Sequence, residues 1–227
     1  MRSNLLTHTK LKARQRKERS TFPEGLSLRV HRSLSWLDRA EQCEDLDGKF
    51  IFLWISFNAA YANEIVDNYR LSEKKSFKNF VEKIVKLDTS QTLHNIIWNN
   101  FSGSIRVLLN NPYVSAAFWE MQIGNLDEDG FESQFKIDKE RAFRALIQND
   151  TVSVLICVLE NIYMLRNQIF HGGATWNSSI NRDQIRDGSR IMQVIVPLVL
   201  TIMMDNSSEL WGDAIFPVIK KINKINK

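Results

Sequence analysis

The segment from Asp150 to Gly173 constrains this chain more than any other. Asp150 is a residue type that caps a helix N-terminus. Thr151 to Phe170 then runs without Gly or Pro and is mostly apolar. Gly172 and Gly173 follow and permit the left-handed backbone on which helices end. A helix this apolar has to be wrapped by other elements. Its last turns carry Arg166, Asn167 and His171: a permanent cation, an amide and an imidazole.

The rest of the chain reads as helices that could do the wrapping. Leu26, Val30, Leu34 and Leu37 keep a helical spacing over Leu26 to Cys43, which Gly48 is expected to break. Phe50 to Tyr69 is a second helix, apolar nearly all round at its start. Ser72 can cap a third, with Phe77, Phe80, Val81, Ile84 and Val85 as its stripe. Thr89 to Leu109 reads as one helix weakened by Gly103, and Pro112 can start a short one. After a polar loop, Asn125 to Gly130, a helix spans Phe131 to Ile147. Beyond Ala174 to Ile180, a polar connection, another begins near Asn181, and Pro197 is expected to kink or break it. No stretch alternates as a strand would. With 9 Gly and 4 Pro in 227 residues, the fold class is all-α and bundle-like.

Net charge is +4, but it is concentrated at one end. Arg2, Lys10, Lys12, Arg14, Arg16, Lys17 and Arg19 stand against Glu18 alone in the first twenty residues. Residues 1–22 are therefore expected to be a basic, flexible arm, either simply solvated or drawn to nucleic acid phosphates. Residues 23–227 are expected to be one helical domain. Cys43 and Cys157 both sit in helical patterns, which suits a reduced, cytoplasmic compartment. No apolar run opens the chain as a signal peptide would. The longest one, Ile191 to Met204, is interrupted by Gln193 and Pro197 and is short for a bilayer. No membrane association is expected. His8, His31, His94 and His171 show no ligand spacing with one another or with cysteine, so no metal or other cofactor is implied.

Asn167 and His171 are four apart and share a helix face. Arg166 is one position round and long enough to reach the same space. His171 lies in the last turn, where the helix dipole favours a cation. Together these groups can clamp a phosphate and move a proton. The plainer alternative is that Arg166 and His171 only cap carbonyls. In the following loop, Trp176, Asn177 and Ser178 can hold a base by stacking and hydrogen bonding, or the Trp can pack onto the core. Arg182, Arg186 and Arg190 make one face of the next helix: a phosphate-tracking stripe, or a solvated face paired with Asp183 and Asp187. Gly172 and Gly173 follow a helix, so they are not a nucleotide-binding loop, which follows a strand.

The segment Met164-Leu165-Arg166-Asn167-Gln168-Ile169-Phe170-His171-Gly172 resembles the signature of HEPN domains: Arg, a polar residue, a few more, then His, near the end of a long helix. Phe52 to Tyr61 resembles the first core helix of such proteins. The block from Leu165 through Asn181-Arg182-Asp183-Gln184 is similar to a prokaryotic branch, and the resemblance spans residues 45–205. It implies a HEPN-like helical bundle, here with extra peripheral helices, that forms a homodimer. Active members are metal-independent endoribonucleases, often in toxin–antitoxin, phage-defence or stress systems. The Arg and His of two protomers face each other across their interface. Carried over, Arg166 and His171 would be catalytic and Asn167 the accompanying polar residue. Gly173 stands where members silenced by nucleotide transfer carry Tyr, so the resemblance does not extend to that form of control.

The resulting expectation is an RNA-cleaving homodimer, with an antitoxin or regulatory protein as its expected partner. Two other readings stand beside it. One is a non-catalytic HEPN-like dimer that binds RNA, nucleotide or a protein. The other is a plain helical interaction protein.

Overall fold

The computed structural model describes residues 6–61, 69–179 and 181–212, with the side chains of 69–74 and 102 left out. These residues form ten α-helices and no strand. They are α1 (His8–Glu18), α2 (Glu24–Glu41), α3 (Leu46–Tyr61), α4 (Tyr69–Leu87), α5 (Thr92–Ile96), α6 (Ser102–Leu109), α7 (Ala116–Gln122), α8 (Glu128–Ile147), α9 (Thr151–Phe170) and α10 (Arg182–Asp205). Short 3-10 turns at Arg19–Thr21 and Pro112–Val114 join neighbours.

The all-round apolarity of α3 has a direct cause in the packing. α3 lies between α2 and α10 and also touches α9. Phe50, Leu53 and Phe57 on α3 meet Val30 and Leu34 of α2, Ile162 and Leu165 of α9, and Met192 and Met203 of α10 in one core of fully buried side chains. Burying each such side chain contributes about 1.5–3 kcal/mol. Ser33 and Ser56 lie between α2 and α3 and exchange hydrogen bonds, each hydroxyl donating to the other's carbonyl at 2.7 Å. That exchange satisfies two small polar groups where the backbones run close.

α9 follows its sequence expectation at both ends. Asp150 accepts the Ser153 N–H at 3.1 Å and starts it. α10 needs a close approach to reach α9 and α3. A Cβ on Gly188 would lie 3.1 Å from a ring carbon of Phe50 and 3.6 Å from a methyl of Leu165, so a glycine in the middle of a helix is explained by contact.

Several expectations need correcting. Within the stretch expected to be an arm, residues 8–18 form α1, docked on α2 and α10 through buried Leu11 and Gln15. Gly48 does not end a helix. It sits in the first turn of α3, where its N–H donates to Asp45 Oδ1 at 2.7 Å. The expected continuation of this helix over 62–68 lies outside the described residues. Ser72 falls inside α4, not at its start. Thr89 to Leu109 is not one helix. Asp88 accepts the N–H groups of Thr92 and Leu93 at 3.0 and 2.7 Å and starts α5, and a π-helical turn at Ile97–Phe101 leads into α6. α8 begins at Glu128, inside the expected loop, capped by Asp127.

α10 runs through Pro197. It is also long and apolar enough to cross a membrane, but 78% of its most apolar window is buried inside the fold. Its apolarity is accounted for by the core. The same packing holds the helix together where Pro197 removes a backbone donor.

Candidate functional site

The C-terminal end of α9 closes with three backbone hydrogen bonds. His171 N–H donates to the Asn167 carbonyl at 3.0 Å, Gly172 N–H to Ile169 at 3.2 Å and Gly173 N–H to Gln168 at 2.8 Å. Gly172 has φ +71°, the left-handed geometry of a Schellman-type stop. The closure satisfies carbonyls with backbone donors, so the His171 side chain is not needed as a cap. That side chain is exposed.

Tyr163, Arg166, Asn167 and Phe170 form one strip leading to it, at helical spacings of three and four. The Arg166 guanidinium lies 4.2 Å from the ring centre of Phe170 and 5.9 Å from that of Tyr163. Its Nη1 donates to Asn167 Oδ1 at 2.8 Å. Its Nε is buried without an acceptor among the described residues. Tyr163 and Phe170 are 38% and 44% exposed, and Tyr163 packs its other side on Trp54 at 5.7 Å. Asn167 thus joins the guanidinium to the helix face of His171. No hydrogen bond links Arg166 and His171 directly among the described residues.

The other three histidines are engaged. His8 pairs with Asp38 at 3.0 Å. His31 lies 3.2 Å from Lys12 Nζ. His94 bonds Thr151 at 3.0 Å and stacks on Trp98 at 4.6 Å. Among the described residues, no group of three His, Cys, Asp or Glu is placed to hold a metal.

Gln168 faces inward and was missed by sequence reasoning. Its Nε2 donates to the Tyr113 carbonyl at 2.6 Å, and its Oε1 accepts Asn181 Nδ2 at 2.8 Å. Both Gln168 and Asn181 are buried. This bridge fixes the end of α9 against the 112–114 turn and the start of α10. The available signal was a polar residue on the buried stripe of Ile162 and Leu165.

The loop residues are placed differently from one another. Trp176 is 74% exposed, and its indole helps to favour the ionised form of the Asp45 carboxyl. That carboxyl is held below the usual carboxylate range, mainly by the Gly48 N–H. Asn177 is exposed and takes φ +56°. Ser178 contributes its carbonyl, which accepts Arg182 Nε and Nη2 at 3.2 and 3.1 Å. Arg182 Nη1 also donates to the buried Asp47 carboxylate at 2.6 Å. Arg186 sits between Asp183 and Asp187 at 2.7 and 3.0 Å, and Asp187 holds it in its charged form. Arg190 is 3.8 Å from Asp187. The arginine row is therefore charge-paired, and Arg182 straps the loop to α3.

A separate open groove of about 520 Å³ runs along α8, lined by Phe131, Phe135, Phe143, Lys136 and Lys139 together with Pro112. The chain matches no protein-family model, no curated protein and no solved structure.

Proposed function

We propose that this protein is a HEPN-type, metal-independent endoribonuclease, with its site formed where two copies bring their α9 ends together. The observation that carries this reading is His171: exposed, without a side-chain partner among the described residues, and one helical turn from the Arg166–Asn167 pair. A general acid–base group has to be reachable, and a phosphate clamp has to remain charged.

In this mechanism the imidazole takes the proton of a ribose 2′-hydroxyl. The 2′-oxygen attacks the adjacent phosphorus, and the bond to the 5′-oxygen breaks. The leaving oxygen gains a proton from an imidazole. Arg166 stabilises the charge that develops on the phosphate oxygens, an interaction worth most in the transition state. Asn167 holds the guanidinium. In this reading the Arg166 and His171 of a second copy complete the site. The two unpaired cysteines, Cys43 and Cys157, suit action in the reducing cytoplasm.

A non-catalytic HEPN-like dimer is the second reading. It is favoured by the exposed rings of Tyr163 and Phe170, which suit a docking face for RNA, nucleotide or a protein such as an antitoxin.

The test is cleavage of end-labelled RNA in EDTA. Wild type is expected to cut and leave 2′,3′-cyclic phosphate ends. His171→Ala and Arg166→Ala are each expected to lose on the order of 10²–10⁴ in rate. Metal-dependent cleavage, or variants as fast as wild type, would overturn the mechanism.

A further inference from the structure

The basic run at the N-terminus has a surface of its own. α1 is pinned on one side by Leu11 and Gln15, both 2% exposed. Its acidic contacts are spent on particular residues. Arg14 pairs with Glu18 at 2.9 Å and Asp205 at 2.7 Å. His8 takes Asp38 through its ring and Glu41 through its N–H, at 3.0 and 2.7 Å. Of the other cations, Lys12, Arg16 and Arg19 are spaced four and three apart along α1 and the turn after it. Among the described residues none of them is paired with a carboxylate.

His31 and Arg32 of α2 stand across from them. Lys12 Nζ lies 3.2 Å from His31 Nδ1. At that distance the ammonium donates to a neutral imidazole, since two cations would repel. The second bond of Lys12 goes to the Gln15 amide oxygen at 2.8 Å, which brings no negative charge. The crowding is felt on both sides. Burial, then Arg16 and Arg19, pull the Lys12 ammonium below its usual range. Burial, then Lys12, Arg19 and Arg32, do the same to His31. Buried contacts of α1 and α2 hold Lys12, Arg16, Arg19 and His31 on one face, and among the described residues no carboxylate pairs with Lys12, Arg16 or Arg19.

We infer that the α1–α2 face, through Lys12, Arg16, Arg19 and His31, binds the phosphate backbone of single-stranded RNA. A polyanion relieves this crowding and releases its own counterions. Lys12 to Arg19 spans about 10 Å along a helix, which suits consecutive phosphates of an extended strand better than a single headgroup. A membrane is the poorer occupant. The one large apolar side chain of α1, Leu11, is buried in the fold, so α1 itself offers no apolar side chain to a bilayer. The choice of RNA over DNA rests on the reading of the α9 site.

The experiment uses the full chain and a fluorescent single-stranded RNA with 2′-O-methyl riboses, which lacks the hydroxyl needed for cleavage. Anisotropy is read across a salt series for wild type, for Arg16→Gln/Arg19→Gln, and for the triple variant adding Lys12→Gln. The double variant changes only exposed, unpaired side chains and guards against misfolding. Affinity is expected to fall about tenfold or more in the triple variant, and the slope of log K against log salt to shrink by about 2. The His31 imidazole signals in NMR are expected to titrate at higher pH once RNA is bound. Equal affinity and slope in all three proteins would overturn the inference. So would binding to phosphatidylserine vesicles with none to RNA. Cleavage of unmodified RNA, measured in parallel with His171→Ala, reports on the α9 site alone. Lost binding in the triple variant therefore supports this face even if no protein cleaves.

Discussion

The Arg182–Asp47 pair shows what a single residue does for the site. Asp47 is buried, and Arg182 spans from it to the Ser178 carbonyl. Asp47→Asn leaves a half-buried guanidinium without its counter-ion. We expect a loss of about 2 kcal/mol, read as a lower urea midpoint with an unchanged slope, together with faster proteolysis of the 174–179 loop. Arg166 presents a different case. Its flat guanidinium rests on Phe170 while bonding Asn167, and lysine reproduces the charge but not the planar fork. Arg166→Lys is expected to keep the thermal midpoint within a degree or two and still lose about tenfold or more in RNA cleavage. An Arg166→Lys protein as active as wild type would show that charge alone suffices.

At the scale of elements, the helix ends are the parts that respond to pH. The Asp150 carboxyl is held below its usual range, first by its bond to Ser153. Its folded-state value is therefore lower than its unfolded one of about 3.9. The stability it contributes is present above that pH and is lost as pH falls through the folded value. Asp150→Ala is expected to cost about 1 kcal/mol at neutral pH. The variant should also show a shallower drop in thermal midpoint between pH 5 and pH 2 than wild type. Helix α10 responds to volume instead. Gly188→Val places branched carbon against Phe50 and Leu165 and is expected to cost about 1–3 kcal/mol, seen in chemical denaturation. The sequence disclosed both ends of α9, because a capping carboxylate and paired glycines act through their own backbone neighbours. It did not disclose that the helix expected from Thr89 starts three residues late, at Thr92. The signal there was Asp88, whose carboxylate turns back onto the N–H groups of Thr92 and Leu93.

The whole molecule raises the matter of assembly. The proposed composite site would make activity a property of two chains, so on that reading specific activity is expected to fall as dilution separates the copies. Sedimentation and cleavage measured over the same concentration range would check this. Specific activity that stays constant as the protein becomes monomeric would count against a shared site.

What the sequence determined by itself was local: helices marked by their apolar period, the stops and caps that bound α9, and the placing of Arg166, Asn167 and His171 in its final turns. Each rests on interactions between residues a few positions apart, whose geometry is set once a helix forms. Tertiary structure decided the rest. It made a docked helix of the basic run, because Asp38, Glu41 and Asp205 lie on distant parts of the chain and offer α1 its partners. It paired Arg182 with Asp47 across 135 positions of sequence. It also carried α10 through Pro197, since packing from several helices outweighs a missing hydrogen bond that a lone helix would have to bear.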